Sequence, residues 1–492
     1  MDSTHLDVLI VGAGLSGVGA AYHLQARCPG KTYAILEGRE TLGGTWDLFR
    51  YPGIRSDSDM YTLGYSFRPW TNPKAIADGP SILAYVRETA EAYGIDRKIR
   101  YGQRVISAAW SSATARWTVG VLDTARGETR TLTCGFLFVC AGYYDYDGGY
   151  TPDLPGLARF GGRVVHPQSW TPDVAYEGKR VVVIGSGATA DTLDPELAKK
   201  AAHVTMLQRS PTYIVSAPER DAVANWLREN LPAEVAYAVS RWKNVALSMG
   251  FYAYCRRFPA RAKALILKQV ERRTRGKVDV QKHFTPSYNP WDQRLCLVPD
   301  GDLFKALREG RASVVTGHID TFTETGVRLK DGEEIPADLV VTATGLKLKF
   351  LGGMALDVDG ARVEPSKTMA YKGIMFSDVP NLAVALGYTN ASWTLKADLA
   401  SDYVCRLLNP RTARGYAACC PRKNDPAVKE EPLMDFTSGY VQRSIAHFPR
   451  QGSAAPWKLY QNYVLDRLTL KHAPLEDGAL TFTAAPRAGA SR

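Results

Sequence analysis

One unit occurs twice in this chain and limits what it can fold into: an apolar strand-like run, a glycine-rich turn, then a helix-like stretch. Asp7 to Val11 reads as a strand. Gly12-Ala13-Gly14-Leu15-Ser16-Gly17 follows, and Val18 to Gln25 is alanine-rich and helix-like. In a G-x-G-x-x-G turn the first glycine permits the sharp reversal. The second lets the backbone approach a pyrophosphate, and the third lets helix pack on strand. The helix N-terminus then attracts the anion. The next strand, Thr32 to Leu36, ends in Glu37, 25 residues after Gly12, where a carboxylate can accept hydrogen bonds from ribose hydroxyls. The second copy runs from Arg180 to Ile184 and continues as Gly185-Ser186-Gly187-Ala188-Thr189-Ala190. Its next strand is His203 to Leu207, and Arg209 stands 24 residues after Gly185, where the first copy carries its acid. A guanidinium there suits the 2′-phosphate of NADP.

Two dinucleotide sites of opposite charge preference imply two dinucleotides, FAD at the first and NADPH at the second. The expected fold is α/β, with two Rossmann-like domains and the NADPH domain inserted into the FAD domain. Phe136 to Gly142 and Asp338 to Gly345 are buried-strand runs ending in Ala-Gly or Thr-Gly, where a chain can leave a sheet. The FAD domain is therefore placed at residues 1–145, resuming at 346–492 as a return segment and C-terminal tail. The NADPH domain is placed at 146–345, with a helical insertion near 220–280. The chain's 492 residues accommodate both, and 45% hydrophobic with 23% charged residues argues against wholesale disorder. No apolar run is long enough to span a bilayer and the N-terminus does not read as a signal peptide, so a cytoplasmic location is expected. The net charge of +11 is spread along the chain without a nucleic-acid module, so no nucleic-acid partner is expected. Eight cysteines form no Cys-x-x-Cys, which excludes disulfide-reductase chemistry, and no metal-ligand cluster is seen. Dioxygen is then the obvious acceptor for the flavin's electrons.

Three further stretches narrow the reading. The first is Gly43-Gly44-Thr45-Trp46, continuing through Tyr51-Pro52-Gly53 to Asp57. The second runs from Phe160 through Gly162 and His166 to Trp170, spelling F-x-G-x-x-x-H-x-x-x-W. The third is Asn289-Pro290-Trp291-Asp292-Gln293-Arg294. On these motifs the chain resembles the type I Baeyer–Villiger monooxygenases, which are class B flavoprotein monooxygenases. It is most similar to their actinobacterial ethionamide-activating branch, through Gly185–Ala190, Met206–Ser216, Tyr288–Pro299 and Gly387–Leu399. The resemblance implies oxygen insertion into ketones, giving esters or lactones through a C4a-peroxyflavin, and oxidation of thioethers to sulfoxides. The alternative is an N- or S-oxygenating flavin monooxygenase without Baeyer–Villiger activity.

The resemblance also implies residue roles. Arg294 and Asp57 would be catalytic, the arginine supplying positive charge beside the reduced flavin and the aspartate holding that arginine. Gly44, Trp46, Asp57, Thr189 and Gln293 join the glycine-motif residues, Glu37 and Arg209 in binding cofactors. Phe160, Gly162, His166 and Trp170 would couple NADPH binding to domain movement. Tyr61, Trp393 and Thr394 are expected near the substrate. Many relatives carry Lys where this chain has Gln293, which leaves more of the NADP preference to Arg209. Asp191, Asp194 and Glu196 follow the second glycine motif and are expected to weaken an anion site there. The basic stretch Arg241–Lys277 reads as a helical insertion with a solvated face, with contact to an anionic membrane as the other possibility. The tail Ala484–Arg492 is expected to lack structure.

Overall fold

The computed structural model describes residues 5–484. The apolar run at the start becomes the strand His5–Val11, central to a nine-stranded sheet. It pairs in parallel with Tyr33–Leu36 on one side and Thr129–Val139 on the other. Both faces of the sheet are covered, which is why the run is continuously apolar instead of alternating. Val8 and Ile10 join a core that holds residues of the helices Leu15–Arg27 and Trp393–Arg414. Leu9 and Val11 belong to a second core containing Trp117 and Phe448. Antiparallel strands Gln103–Ser111 and Arg116–Asp123 extend the sheet from Thr129–Val139. Late in the chain, Ala355–Val358 pairs with Gln103–Ser111 and Leu382–Val384 pairs with Thr129–Val139. Both ends of the sequence thus build one sheet.

The second sheet has five parallel strands in the spatial order Ala312–Thr316, His203–Gln208, Arg180–Ile184, Leu339–Thr342, Arg163–Val165. The helices Ala188–Leu197 and Asp302–Arg308 cover it, burying Leu193, Leu197 and Phe304 against Val181, Val183 and Val341. The architecture is α/β with two parallel-cored sheets, as the doubled glycine unit requires. Between His203–Gln208 and Ala312–Thr316 the chain forms the helices Ala222–Asn230, Ala233–Arg257, Pro259–Thr274 and Val280–Phe284. Among the described residues no helix is long and apolar enough to cross a membrane. The tail expected to lack structure lies outside the described residues, apart from Ala484, which closes the strand Leu480–Ala484.

The first glycine motif shows why its spacing is strict. Gly12 has φ +99°, a region costly for other residues, and an added Cβ would lie 2.8 Å from the Cys140 carbonyl oxygen. At Gly17 a Cβ would stand 1.9 Å from the Gly12 carbonyl oxygen, so the helix can approach the strand only over a glycine. Gly17→Val is expected to cost about 3 kcal/mol or more, read as a marked drop in melting temperature or loss of soluble protein. A variant that melts with the parent would contradict this account of the turn.

Candidate active site

Two cavities lie along the chain's two glycine motifs. The first, of about 430 Å³, is lined by Gly12, Gly14, Glu37, Gly44 and Trp46. Gly14 and Gly44 face each other so closely that a Cβ on Gly44 would meet the Gly14 Cα at 3.0 Å. The pair leaves a side-chain-free slot at the N-terminus of the helix Leu15–Arg27, whose first turn holds no acid. Such a slot admits a pyrophosphate. Glu37 accepts hydrogen bonds from the Ala13 and Arg39 backbone N–H groups at 2.8 and 3.0 Å. Burial pushes its carboxyl above the usual range, and those two bonds act against the rise. Trp393 also lines this cavity, its indole donating to Ser16 Oγ at 2.7 Å. Tyr61 and Thr394, expected beside it, line neither cavity. Both are buried, and the Thr394 hydroxyl donates to the Leu63 carbonyl behind the wall.

The second cavity, of about 680 Å³, is lined by Gly185, Gly187, Thr189, Arg209 and Gln293. Nothing lies within 4 Å of a Cβ placed on Gly187, so the motif opens directly onto the cavity. Arg209 is exposed at the end of His203–Gln208 and makes no ion pair among the described residues. Its free guanidinium fits a phosphate dianion. Asp191 and Asp194 depart from expectation. They do not face the anion site: their side chains are buried in the protein, 1% and 0% exposed, and their carboxyl oxygens have no hydrogen-bond partner. Burial raises Asp191 to about 7, and burial with Asp191 beside it raises Asp194 well above the carboxylate range. With Asp194 held protonated and Asp191 only partly ionised at neutral pH, they do not repel an anion as two full charges would. Glu196 sits further along the helix and pairs with Lys199.

The cavities share a wall formed by Thr45, Trp46, Ser56, Asp57, Tyr144 and Arg294. Arg294 Nη2 stands 2.7 Å from Asp57 Oδ2, and both side chains are about a third exposed. The negative charge of Asp57 holds the guanidinium further toward its charged form. Each partner is fixed locally. Asp57 follows the Tyr51-Pro52-Gly53 turn. There a Cβ on Gly53 would meet the Glu196 Cβ at 2.8 Å, so only glycine lets the turn abut the helix Ala188–Leu197. Arg55 extends the grip, donating to the Asp302 carboxylate and to the Asp191 carbonyl at 3.3 Å. Arg294 precedes the strand Cys296–Pro299. Its loop is held by Asp292, whose carboxylate accepts from the Asn289 N–H and pairs with Arg256, and whose carbonyl accepts from the Thr437 N–H.

Sequence reasoning missed the surroundings of Arg294. Tyr143, Tyr144 and Tyr440 stand around it, each kept neutral because burial pushes its phenol upward. Tyr143 and Tyr144 directly follow Ala141-Gly142, the strand end already singled out, so that position was a usable signal. Tyr440 and Arg443 come from the return segment and carry no motif. Arg443 lines the second cavity, its guanidinium 3.5 Å above the Tyr150 ring.

Phe160, Gly162, His166 and Trp170 line neither of these two cavities. Phe160 packs edge-on to Phe322, Gly162 is pressed against the Asp338 carbonyl, and Trp170 is buried against Tyr176. His166 Nδ1 accepts from the Gln168 N–H at 3.1 Å, so Nε2 carries the proton and donates to the Gly345 carbonyl at 3.2 Å. Burial lowers its pKa, favouring this neutral form. Gln168 donates in turn to the Asp145 carbonyl at 2.9 Å. The two residues pin both crossings between the sheets to each other.

A fold with two dinucleotide cavities meeting at one arginine defines a class of redox enzyme, and comparison with known proteins narrows it. A family profile described as Flavin-binding monooxygenase-like matches residues 70–227, and one described as NAD(P)-binding Rossmann-like domain matches residues 10–75. The chain is 56% identical over 483 residues to the FAD-containing monooxygenase EthA of Mycobacterium tuberculosis, covering 98% of each chain. It is 52% identical over 480 residues to EthA of Mycolicibacterium smegmatis, covering 97% of each. Its fold is similar to that of an oxidized steroid monooxygenase bound to NADP, with TM-score 0.74, 24% identity and coverage of 98% of this chain and 100% of that one. An open crystal structure of cyclohexanone monooxygenase matches with TM-score 0.73, 20% identity and the same coverage. The chain belongs to the family of FAD-containing monooxygenases.

The buried acid of the second glycine unit makes stability pH-dependent. Asp191 is raised from an ordinary carboxylate value to about 7. Between roughly pH 4 and 7 the folded state therefore binds more protons than the unfolded chain, stability falls as pH rises, and the full cost is present above 7. Asp191→Asn is expected to raise the melting temperature at pH 8, by on the order of 2 kcal/mol of stability, and by less at pH 5. A gain that is larger at pH 5 would contradict the assignment.

Proposed function

We propose that this protein is an NADPH-consuming Baeyer–Villiger monooxygenase. It places one oxygen atom of dioxygen beside a ketone carbonyl, giving an ester or lactone, and oxidises thioethers to sulfoxides. The observation that carries this reading is the Arg294–Asp57 pair on the wall common to both cavities. FAD held in the first cavity and reduced by NADPH held in the second would supply the electrons that activate dioxygen. Gly12, Gly14, Gly44 and the start of the helix Leu15–Arg27 would hold the flavin's pyrophosphate, and Glu37 its ribose. Gly185, Gly187 and Thr189 would hold the coenzyme's pyrophosphate, with Arg209 on its 2′-phosphate and Gln293 beside it.

The chain's own residues do the rest. Oxygen insertion by nucleophilic attack builds negative charge on oxygen, and Arg294 presents a fixed positive charge where both cavities converge. Asp57 holds that guanidinium in place and keeps it charged. The three neutral tyrosines around it wall off solvent without adding a competing charge. His166 acts at a distance: its bond to the Gly345 carbonyl fastens a residue that itself lines the coenzyme cavity. His166 is thereby a positioning residue that links coenzyme binding to the crossing strands, and Phe160, Gly162 and Trp170 are its packing frame.

The test is product mass spectrometry with labelled dioxygen, NADPH, a panel of linear and aryl ketones and an aryl thioether. A labelled ester is expected, with Arg294→Ala reducing its rate by about 10²–10³ while FAD stays bound. Labelled sulfoxide with no ester from any ketone would overturn the Baeyer–Villiger reading in favour of N- and S-oxygenation. Separately, Arg209→Ala is expected to lower the preference for NADPH over NADH by about ten-fold or more, through loss of a charge-assisted phosphate contact. An unchanged preference would remove Arg209 from that role.

A further inference from the structure

The helical insertion carries the solvated basic face expected of it, with Arg256, Arg261, Lys268, Arg272 and Arg275 exposed, but it also shows a second outward face that is not basic. In the helix Ala233–Arg257 the inward face is tightly held. Arg241 donates to the Tyr61 and Gly64 carbonyls at 2.8 Å each, and the Tyr237 hydroxyl donates to the Tyr65 carbonyl at 2.9 Å. The outward face is apolar. Val235, Val239, Trp242, Ala246, Gly250 and Ala253 recur at helical spacing, all exposed, over five turns without a charge. A surface helix normally sets charges on that side. Val239 is 45% and Trp242 43% exposed.

The stripe is widened by another part of the chain. Tyr463 packs against Trp242 with ring centroids 5.7 Å apart, and its helix Tyr463–Arg467 and the residue after it bring Leu465 and Leu468 to the surface, 43% and 55% exposed. Cations frame the apolar surface. Arg467 lies over the Trp242 ring at 5.5 Å, and Arg257 and Arg261 flank the exposed Phe258 ring at 5.3 and 5.6 Å. None of these three arginines has an ion-pair partner among the described residues. Residues 221–275 hold eleven Lys and Arg against four Asp and Glu, a net of +7 in a chain of +11.

We propose that this face is a docking surface for an anionic lipid bilayer. The apolar stripe would enter the headgroup boundary, with the aromatic rings at the interface and the arginines on lipid phosphates. The charge selects this occupant over a second copy of the chain: a symmetric dimer through this face would set two strongly basic insertions against each other. The surface is independent of the oxygen-insertion reading and uses none of its residues.

The test is co-sedimentation of the full-length, FAD-loaded protein with vesicles of phosphatidylcholine alone or with about 30 mol% phosphatidylglycerol. Binding to the anionic vesicles is expected to be about ten-fold tighter or more, and to weaken in high salt. Val239→Glu combined with Leu468→Glu is expected to reduce that binding at least about ten-fold. Leu468→Glu alone gives a milder version of the same loss, and unchanged flavin content shows that each variant is folded. The proposal is overturned if the parent stays in the supernatant with anionic vesicles. It is equally overturned if the double variant binds as the parent does, which would mean attraction by charge alone. A parent dimer in solution that Val239→Glu dissociates, with no vesicle binding, would assign the face to a second copy.

Discussion

The Arg294–Asp57 pair is the interaction to which the rest of the arrangement answers. Its members come from distant parts of the sequence, and each is anchored by contacts that have nothing to do with the other. The turn at Gly53 is pressed onto the helix Ala188–Leu197 and Arg55 reaches Asp302, so Asp57 is carried to the second sheet's side by its own backbone. Arg294 is set by the Asp292 loop, which also holds the return segment through Thr437. A pair about a third exposed gains little stability from Coulomb attraction alone. Its significance is positional: a cation fixed on a wall that two cavities share can act on whatever meets there.

That placement depends on the crossings staying in register. The chain leaves the first sheet at Val139 and the second at Thr342, and both linkers would be free to shift if only their strands held them. His166 and Gln168 bond to the carbonyls of Gly345 and Asp145, one on each crossing. A Cβ on Gly149 would overlap the His166 ring, so the segment before the fingerprint closes on the ring as well. The fingerprint histidine earns its position through two backbone carbonyls without entering either cavity.

Much of this was legible in the sequence because glycine spacing is a backbone constraint. Gly12, Gly17 and Gly185 mark where a Cβ cannot stand, and that constraint holds without knowing any partner. Glu37 and Arg209 were legible for the same reason, since a strand of known direction delivers its last side chain to a predictable place. Side-chain surroundings were not legible. Tyr440 and Arg443 reach the site from the return segment, whose route no local pattern fixes. Asp191, in the first turn of the helix Ala188–Leu197, and Asp194 in the next turn misled because acids near a helix start usually face solvent, whereas here both side chains are buried. Burial, a tertiary property, weakened the repulsion that two ionised carboxylates would exert.

The insertion shows the same limit from the other direction. Most of its Lys and Arg are solvated as expected, but Arg241 is 7% exposed and bonds to the backbone of the segment Tyr61–Gly64 and to Asp398, 3.5 Å away. A buried guanidinium tolerates that position only because several acceptors surround it. Leu63, within that segment, lines the flavin-side cavity. The inward face of the helix Ala233–Arg257 is therefore bonded to backbone that forms a wall of the site, while its outward face is bare hydrocarbon. A helix so rigidly tied on one side cannot turn its apolar stripe inward, so the exposure of Val235, Val239 and Trp242 is a fixed property of the folded chain and not an alternative packing of a loose element.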